Sequence, residues 1–263
     1  MLSFLKSRRR ARLRAAPFPS EWKGLIERNV PLFSRLPAAD RTELLGHIQV
    51  LLAEKHWEGA GGLELTDEIR VTIAAQACVL LLHREHDYYP RVTTILVYPS
   101  TYVAAGERHI GGGIWEDAEE VRLGHTQQQL GAIVLAWDAA LHGSRVYDDG
   151  QNVVLHEFAH QLDFEGDSTD GTPLLETRQQ YVSWARVLGA EYQRLRRLDA
   201  TGESSFLDKY GATNPAEFFA VVTEFFFERP VELRAGYPSL YAELKGYYRQ
   251  DPAEFGSGTT EGA

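Results

Sequence analysis

The sequence predicts an α+β fold, mostly helical, with a small β-sheet placed just ahead of one histidine-bearing helix. Three observations lead there. Apolar residues recur at three- and four-residue intervals in long segments at both ends of the chain, the mark of helices with one buried face. Between them, "VTTILVYPS" and "GAIVLAWD" are short runs rich in β-branched residues and read as strands. Soon after comes "VVLHEFAHQLDFEGD", residues 153–167, an apolar lead-in followed by two histidines four apart.

In chain order, "PSEWKGLIERNVPLFSRL" and "PAADRTELLGHIQVLLAEKHW" each predict a helix, the second burying Leu44, Leu45, Ile48, Leu51 and Leu52. "EGAGG" breaks the chain. A third helix is expected from a cap at Thr66 or Asp67 through the apolar block to about His83. The first strand ends at Pro99, a polar Gly-rich stretch runs from Gly106 to Gly113, and the second strand spans 131–138. A loop, "LHGSRVYDDG", leads to the two-histidine helix, with Asp149 or Asn152 as its cap. After the acidic loop "DFEGDSTDGTP", a long helix is expected from about Leu174 to Leu198. "NPAEFFAVVTEFFFERP" then starts a helix with Asn214 as cap and Pro215 at its first position, where a missing N–H costs nothing. "YPSLYAELKGYYRQDP" closes the fold.

We read residues 17–255 as one domain, with an N-terminal helical part at about 17–88 and a second part at about 89–255; 263 residues suffice for one substantial core. Residues 1–16 carry six basic residues and no acid, which leaves 21 basic and 37 acidic residues, a net −16, in the remainder. The basic run is expected to be a flexible, solvated tail, with a membrane-surface or partner-binding segment as the sharper alternative. Residues 256–263 read as a second flexible tail.

Composition excludes several classes. A net charge of −10 argues against direct nucleic-acid binding, which needs a basic face. The basic start lacks the apolar stretch of an export signal, and no apolar run reaches the length of a membrane span. Cys78 is the sole cysteine, so neither an intrachain disulfide nor a thiolate metal cage can form. A cytoplasmic location is expected.

In a helix, residues four apart sit one above the other, so His156 and His160 aim their rings at a common spot, as two imidazole ligands of one zinc must. Glu157 lies about 100° round the helix from His156, within reach of a metal-bound water as a general base. A catalytic zinc needs a third protein ligand. The continuation that would supply a third histidine is absent, because Asp163 and Gly166 stand where Gly and His would be needed. His83, His86, His47, His56, His109, His125 and His142 lack ligand context and read as surface or structural. A carboxylate is therefore expected. Asp163, Glu165, Asp167 and Asp170 are the local candidates, Asp163 being better suited to orienting a histidine or fixing the following loop. Glu217 and Glu224 are stronger, since both are acids embedded in aromatic surroundings, where a buried carboxylate wants a cation. Glu217 is favoured because its helical turn adjoins a loop; its bland alternative is a capping box with Asn214.

On "FSRLPAADRTELL", "ILVYPSTYV", "GAIVLAWD", "NVVLHEFAHQLD", "YGATNPAEFFAVVTEFFF" and "YYRQDP", the chain resembles the Mlc titration factor A family of zinc peptidases over nearly its whole length. Its two site segments also look like the protease domain of anthrax lethal factor. The resemblance implies a zincin-like metallopeptidase domain, of the gluzincin type, whose catalytic part is the segment at 89–255. It implies one Zn2+ held by His156, His160 and Glu217, with Glu157 as base and a tyrosine at Tyr210 whose hydroxyl faces the metal. Glu224 then becomes structural or supportive, as does Asp163. The implied activity is aminopeptidase-like on short peptides; the implied partner is a transcriptional repressor, Mlc-like, with sequestration of that repressor as the non-catalytic alternative.

Overall fold

The computed structural model describes residues 2–100, 108–109, 115–116, 131–146, 148–166 and 169–256. Its elements, in order, are α1 (Leu2–Ala15), α2 (Ser20–Asn29), α3 (Pro31–Arg35), α4 (Ala38–Glu54), β1 (His56–Gly59), α5 (Asp67–Val79), β2 (Thr94–Tyr98), β3 (Arg108–His109), β4 (Trp115–Glu116), β5 (Ala132–Ala136), α6 (Trp137–Arg145), α7 (Val153–Phe164), α8 (Arg178–Thr201), α9 (Pro215–Glu228), α10 (Pro230–Gly236) and α11 (Pro238–Tyr248). Short 3-10 turns occupy Lys209–Ala212 and Pro252–Glu254. The fold is the mostly helical α+β arrangement that the sequence predicts.

The sheet has three parallel strands in the order β1-β2-β5, and β3 pairs antiparallel with β4. In the central strand, Ile95 and Val97 alternate inward and sit in register with Ile133 and Leu135 of β5, so four apolar side chains seal one face against the helices. β1 departs from expectation, since its first two residues read as helix. Helix α4 stops at Glu54 because the Lys55 ammonium is drawn away to the carbonyls of Tyr89 (2.8 Å) and Val92 (2.7 Å), and the chain then pairs with β2. That pairing is with a strand nearly 40 residues on, which local periodicity does not register. Strand β5 is shorter than expected, because Trp137 and Asp138 already belong to α6.

The basic segment read as a flexible tail forms helix α1, packed along α4. Arg10 is buried between Glu54, which it grips through two hydrogen bonds of 2.9 and 2.7 Å, and Asp87. Lys6 also reaches Asp87, at 2.8 Å. Two of the charges that suggest solvation in sequence, Lys6 and Arg10, are thus matched by acids brought in from elsewhere. Of the C-terminal run 256–263, all but Gly256 lies outside the described residues. Leu174 and Leu175 precede helix α8, which starts at a capping box of Thr177 and Gln180.

Helices α7 and α9 pack against each other in the core, and α9 is apolar almost all round. Glu217, Glu224 and Glu228 are seven and four apart, which places them within about 40° of one another on one α9 face. That face meets the histidine face of α7.

Candidate metal centre

Helix α7 starts where Asn152 caps it, the side-chain Oδ1 accepting the Leu155 N–H at 3.0 Å. Of the two candidate caps, Asp149 instead accepts the Gln151 N–H. Asn214 caps α9 in the same way, accepting the Glu217 N–H at 3.0 Å. The Glu217 backbone thus serves the cap while its carboxylate turns to the histidines, so the bland capping-box reading does not describe its side chain.

Glu217 Oε2 lies 3.0 Å from His156 Nε2 and 3.3 Å from His160 Nε2, and the two Nε2 atoms are 3.2 Å apart. Among the described residues, these three form the group of His, Cys, Asp or Glu whose ligand atoms fall within 4.8 Å of one another. Donors bonded to a tetrahedral ion at about 2.05 Å stand about 3.3 Å apart. The observed triangle fits that spacing. Its chemistry fits as well, because three lone-pair donors turned on one point repel unless a cation or a shared proton sits among them. Burial opposes a charge on His156, but Glu224 and Glu217 prevail and raise its pKa well above the usual histidine value. Burial likewise opposes ionisation of Glu217, yet His160 and His156 hold its carboxyl far below the ordinary range.

The second nitrogen of His156 is held from behind. Its Nδ1 lies 2.7 Å from Glu224 Oε1, while Glu224 Oε2 accepts the Asn152 N–H and the Asn152 carbonyl accepts the His156 N–H at 2.9 Å. These three bonds close a ring that fixes both the backbone and the imidazole of His156. A carboxylate can only accept, so Nδ1 carries the proton, and Nε2 is the nitrogen left to offer its lone pair to a cation among the three donors. Asn152 Nδ2 in turn donates to the carbonyl of Gly143 and to Glu228 Oε1, each at 3.1 Å. Burial pushes the Glu228 carboxyl up to about 9.

Glu157 is half-buried on the adjoining face of α7, and burial raises its carboxyl above the ordinary value. Tyr210 stands on the 3-10 turn Lys209–Ala212, its ring centre 5.9 Å from that of His156 and its N–H held by Asp208 at 2.8 Å. Asp163 is fully buried one turn beyond His160; its Oδ2 accepts the Gly171 N–H at 3.0 Å, and burial raises its pKa to about 6. Gly171 has φ +76, and a Cβ there would lie 2.2 Å from the Pro215 carbonyl oxygen. Asp163 therefore presses the post-α7 loop against the start of α9, next to Glu217.

The remaining acids and histidines lie elsewhere. Asp170 accepts the Thr172 N–H, and Glu165 is not among the converging donors. Asp167 lies outside the described residues, as does His125. His47 is buried against Tyr88 (2.7 Å) and Glu43 (3.2 Å), and His83 sits beside Asp40 and Glu43. Sequence reasoning does not single out Glu228 or the ring through Asn152. The repeat of acids at 217, 224 and 228 along an apolar helix is the signal that could have found them.

Comparison with known proteins points to a metallo-peptidase family. The family model described as glucose-regulated metallo-peptidase M90 matches residues 4–249. An uncharacterized protein of Synechocystis is 39% identical over 236 residues, covering 90% of this chain and 86% of the relative. Mlc titration factor A of Klebsiella pneumoniae is 32% identical over 227 residues, covering 85% and 84% respectively, and that of Salmonella typhi is 31% identical over 229 residues, covering 86% and 84%. A family match over nearly the whole chain, with a His-His-Glu donor group at its centre, leads to one conclusion: the chain belongs to the glucose-regulated metallo-peptidase M90 family.

Proposed function

We propose that the chain is a zinc-dependent peptidase in which His156, His160 and Glu217 hold one zinc ion. The carrying observation is the convergence of their donor atoms at 3.0–3.3 Å. Two imidazoles and one carboxylate, with no thiolate, suit a catalytic rather than a structural zinc. When bound, the ion supplies Lewis-acid polarisation of a peptide carbonyl and makes a water more acidic.

The chain's own groups do the rest. Glu157 takes the proton of the attacking water and hands it to the leaving amine. The Tyr210 hydroxyl donates to the carbonyl oxygen as it gains negative charge. Glu224 holds His156 with Nε2 outward, and Asp163 steadies the loop that abuts Glu217. The family resemblance supports short peptides as substrates, cut in an aminopeptidase-like manner in the cytoplasm.

The name of the Klebsiella and Salmonella relatives favours a second reading, in which the chain titrates an Mlc-like transcriptional repressor. Both readings can hold at once. Capture of such a repressor by the Glu157→Gln protein as well as by the wild type would mark the second as independent of catalysis.

Metal analysis of wild type and Glu217→Gln, with a peptide-library digest of each, tests the main reading. The wild type should carry about one zinc per chain and cleave, and the variant should lose both. A variant that keeps zinc and full turnover overturns the assignment.

A further inference from the structure

Helix α1 lays one face on the protein and turns the other outward. Arg10 is gripped by Glu54 and Asp87, Leu13 packs on the core, and Gly46 of α4 leaves room for the Arg14 stem. At 100° per residue, the opposite face carries Phe4, Leu5, Arg8 and Arg12, with Arg9 at its edge. Phe4 is 64% and Leu5 56% exposed, and Arg8 and Arg12 are exposed as well. The Arg8 guanidinium stands 5.6 Å over the Phe4 ring, so cation and apolar surface form one patch.

Arg9 at the edge donates to the Ala53 carbonyl of α4 at 3.1 Å, while Phe4, Leu5, Arg8 and Arg12 face outward. We infer that this face docks the protein onto an anionic lipid surface. Charge complementarity selects the occupant: the first 16 residues carry six cations and no acid, while the remainder carries a net −16. Lys6 and Arg10 are paired with Asp87 and Glu54, so on this helix the attraction to an anionic surface rests on Arg8 and Arg12, with Arg9 beside them. The apolar pair decides between polyanions. Headgroup phosphates satisfy the arginines while Phe4 and Leu5 enter the acyl boundary, whereas a nucleic acid offers phosphates and no such layer. The helix is already docked and formed, so binding need not order it.

Sedimentation of the full chain with sucrose-loaded vesicles tests this. Vesicles of phosphatidylcholine with about one third phosphatidylglycerol should carry the protein down, pure phosphatidylcholine should not, and added salt should release it. Arg8→Ser/Arg12→Ser should lower the partition about 30-fold, since each cation near such a surface contributes a factor of about five. Phe4→Ser/Leu5→Ser should lower it at unchanged charge, while the exposed control pair Arg186→Ser/Arg197→Ser should stay within about twofold of wild type. All three variants should melt with the wild type. Equal sedimentation with and without phosphatidylglycerol overturns the inference, as does an equal loss from the control pair. Tight binding to poly(U) that survives Phe4→Ser/Leu5→Ser, with no vesicle binding, replaces the lipid by a phosphate polymer.

Discussion

Glu224 stands 2.7 Å behind His156, with its other oxygen anchored on the backbone N–H of Asn152, the residue that caps the same helix. One carboxylate thus sets the tautomer of an imidazole and the start of the helix that carries it. Glu224→Ala should lower metal affinity about 10- to 100-fold, read by chelator competition, because nothing then fixes Nδ1 as the protonated nitrogen and Nε2 as the metal ligand. Unchanged affinity would mean that helix packing alone orients the ring.

Glu157 lies beside the donor triangle without belonging to it. Glu157→Gln should therefore bind zinc like the wild type and lose at least about 100-fold in kcat on a peptide substrate. Metal content and turnover measured on one preparation separate a proton carrier from a ligand.

Gly171 combines φ +76 with a Cβ position 2.2 Å from the Pro215 carbonyl oxygen. Gly171→Ala should cost more than about 1 kcal/mol of stability, since both the backbone and the contact resist it. It should also weaken metal binding, because Pro215 and Glu217 share the first turn of α9. A stable variant with normal zinc affinity would separate the loop from the site.

Glu228 is raised from 4.5 to about 9 by burial. The folded chain keeps a proton that the unfolded chain releases, so this group's stabilising contribution is complete below about pH 4.5 and is lost as pH rises through about 9. Glu228→Gln removes that loss. Its melting temperature relative to wild type should rise between about pH 5 and about pH 8; a difference independent of pH would show Glu228 titrating normally.

Arg10 is buried with carboxylates on two sides. Arg10→Ala leaves Glu54 without that partner and should destabilise the protein by about 3 kcal/mol, with proteolysis beginning in residues 2–15. Melting temperature and limited digestion check it.

Much of this molecule is legible in its sequence because the signals are local. Two histidines four apart share a helix face wherever that helix lies, and Asn-Pro starts α9 whatever packs on it. The alternation in β2 and the lone Cys78 are equally independent of context. So the helix–sheet–helix order, a histidine pair suited to metal and the exclusion of a thiolate cage follow from the residues alone. Other features depend on partners far along the chain. Glu217 lies 57 residues from His160, and spacing alone leaves it in competition with Glu224. Only packing α9 on α7 puts Glu217 at the Nε2 atoms and Glu224 at Nδ1. Likewise, β1 exists through its pairing with β2, and α1 is docked because Glu54 and Asp87 neutralise Arg10. A helix start, a cap or a turn is decided by neighbours within a few residues, which the sequence states directly. Which carboxylate meets which nitrogen, and which charge is paired or left in water, is settled by burial and long-range contact, which only the tertiary structure supplies.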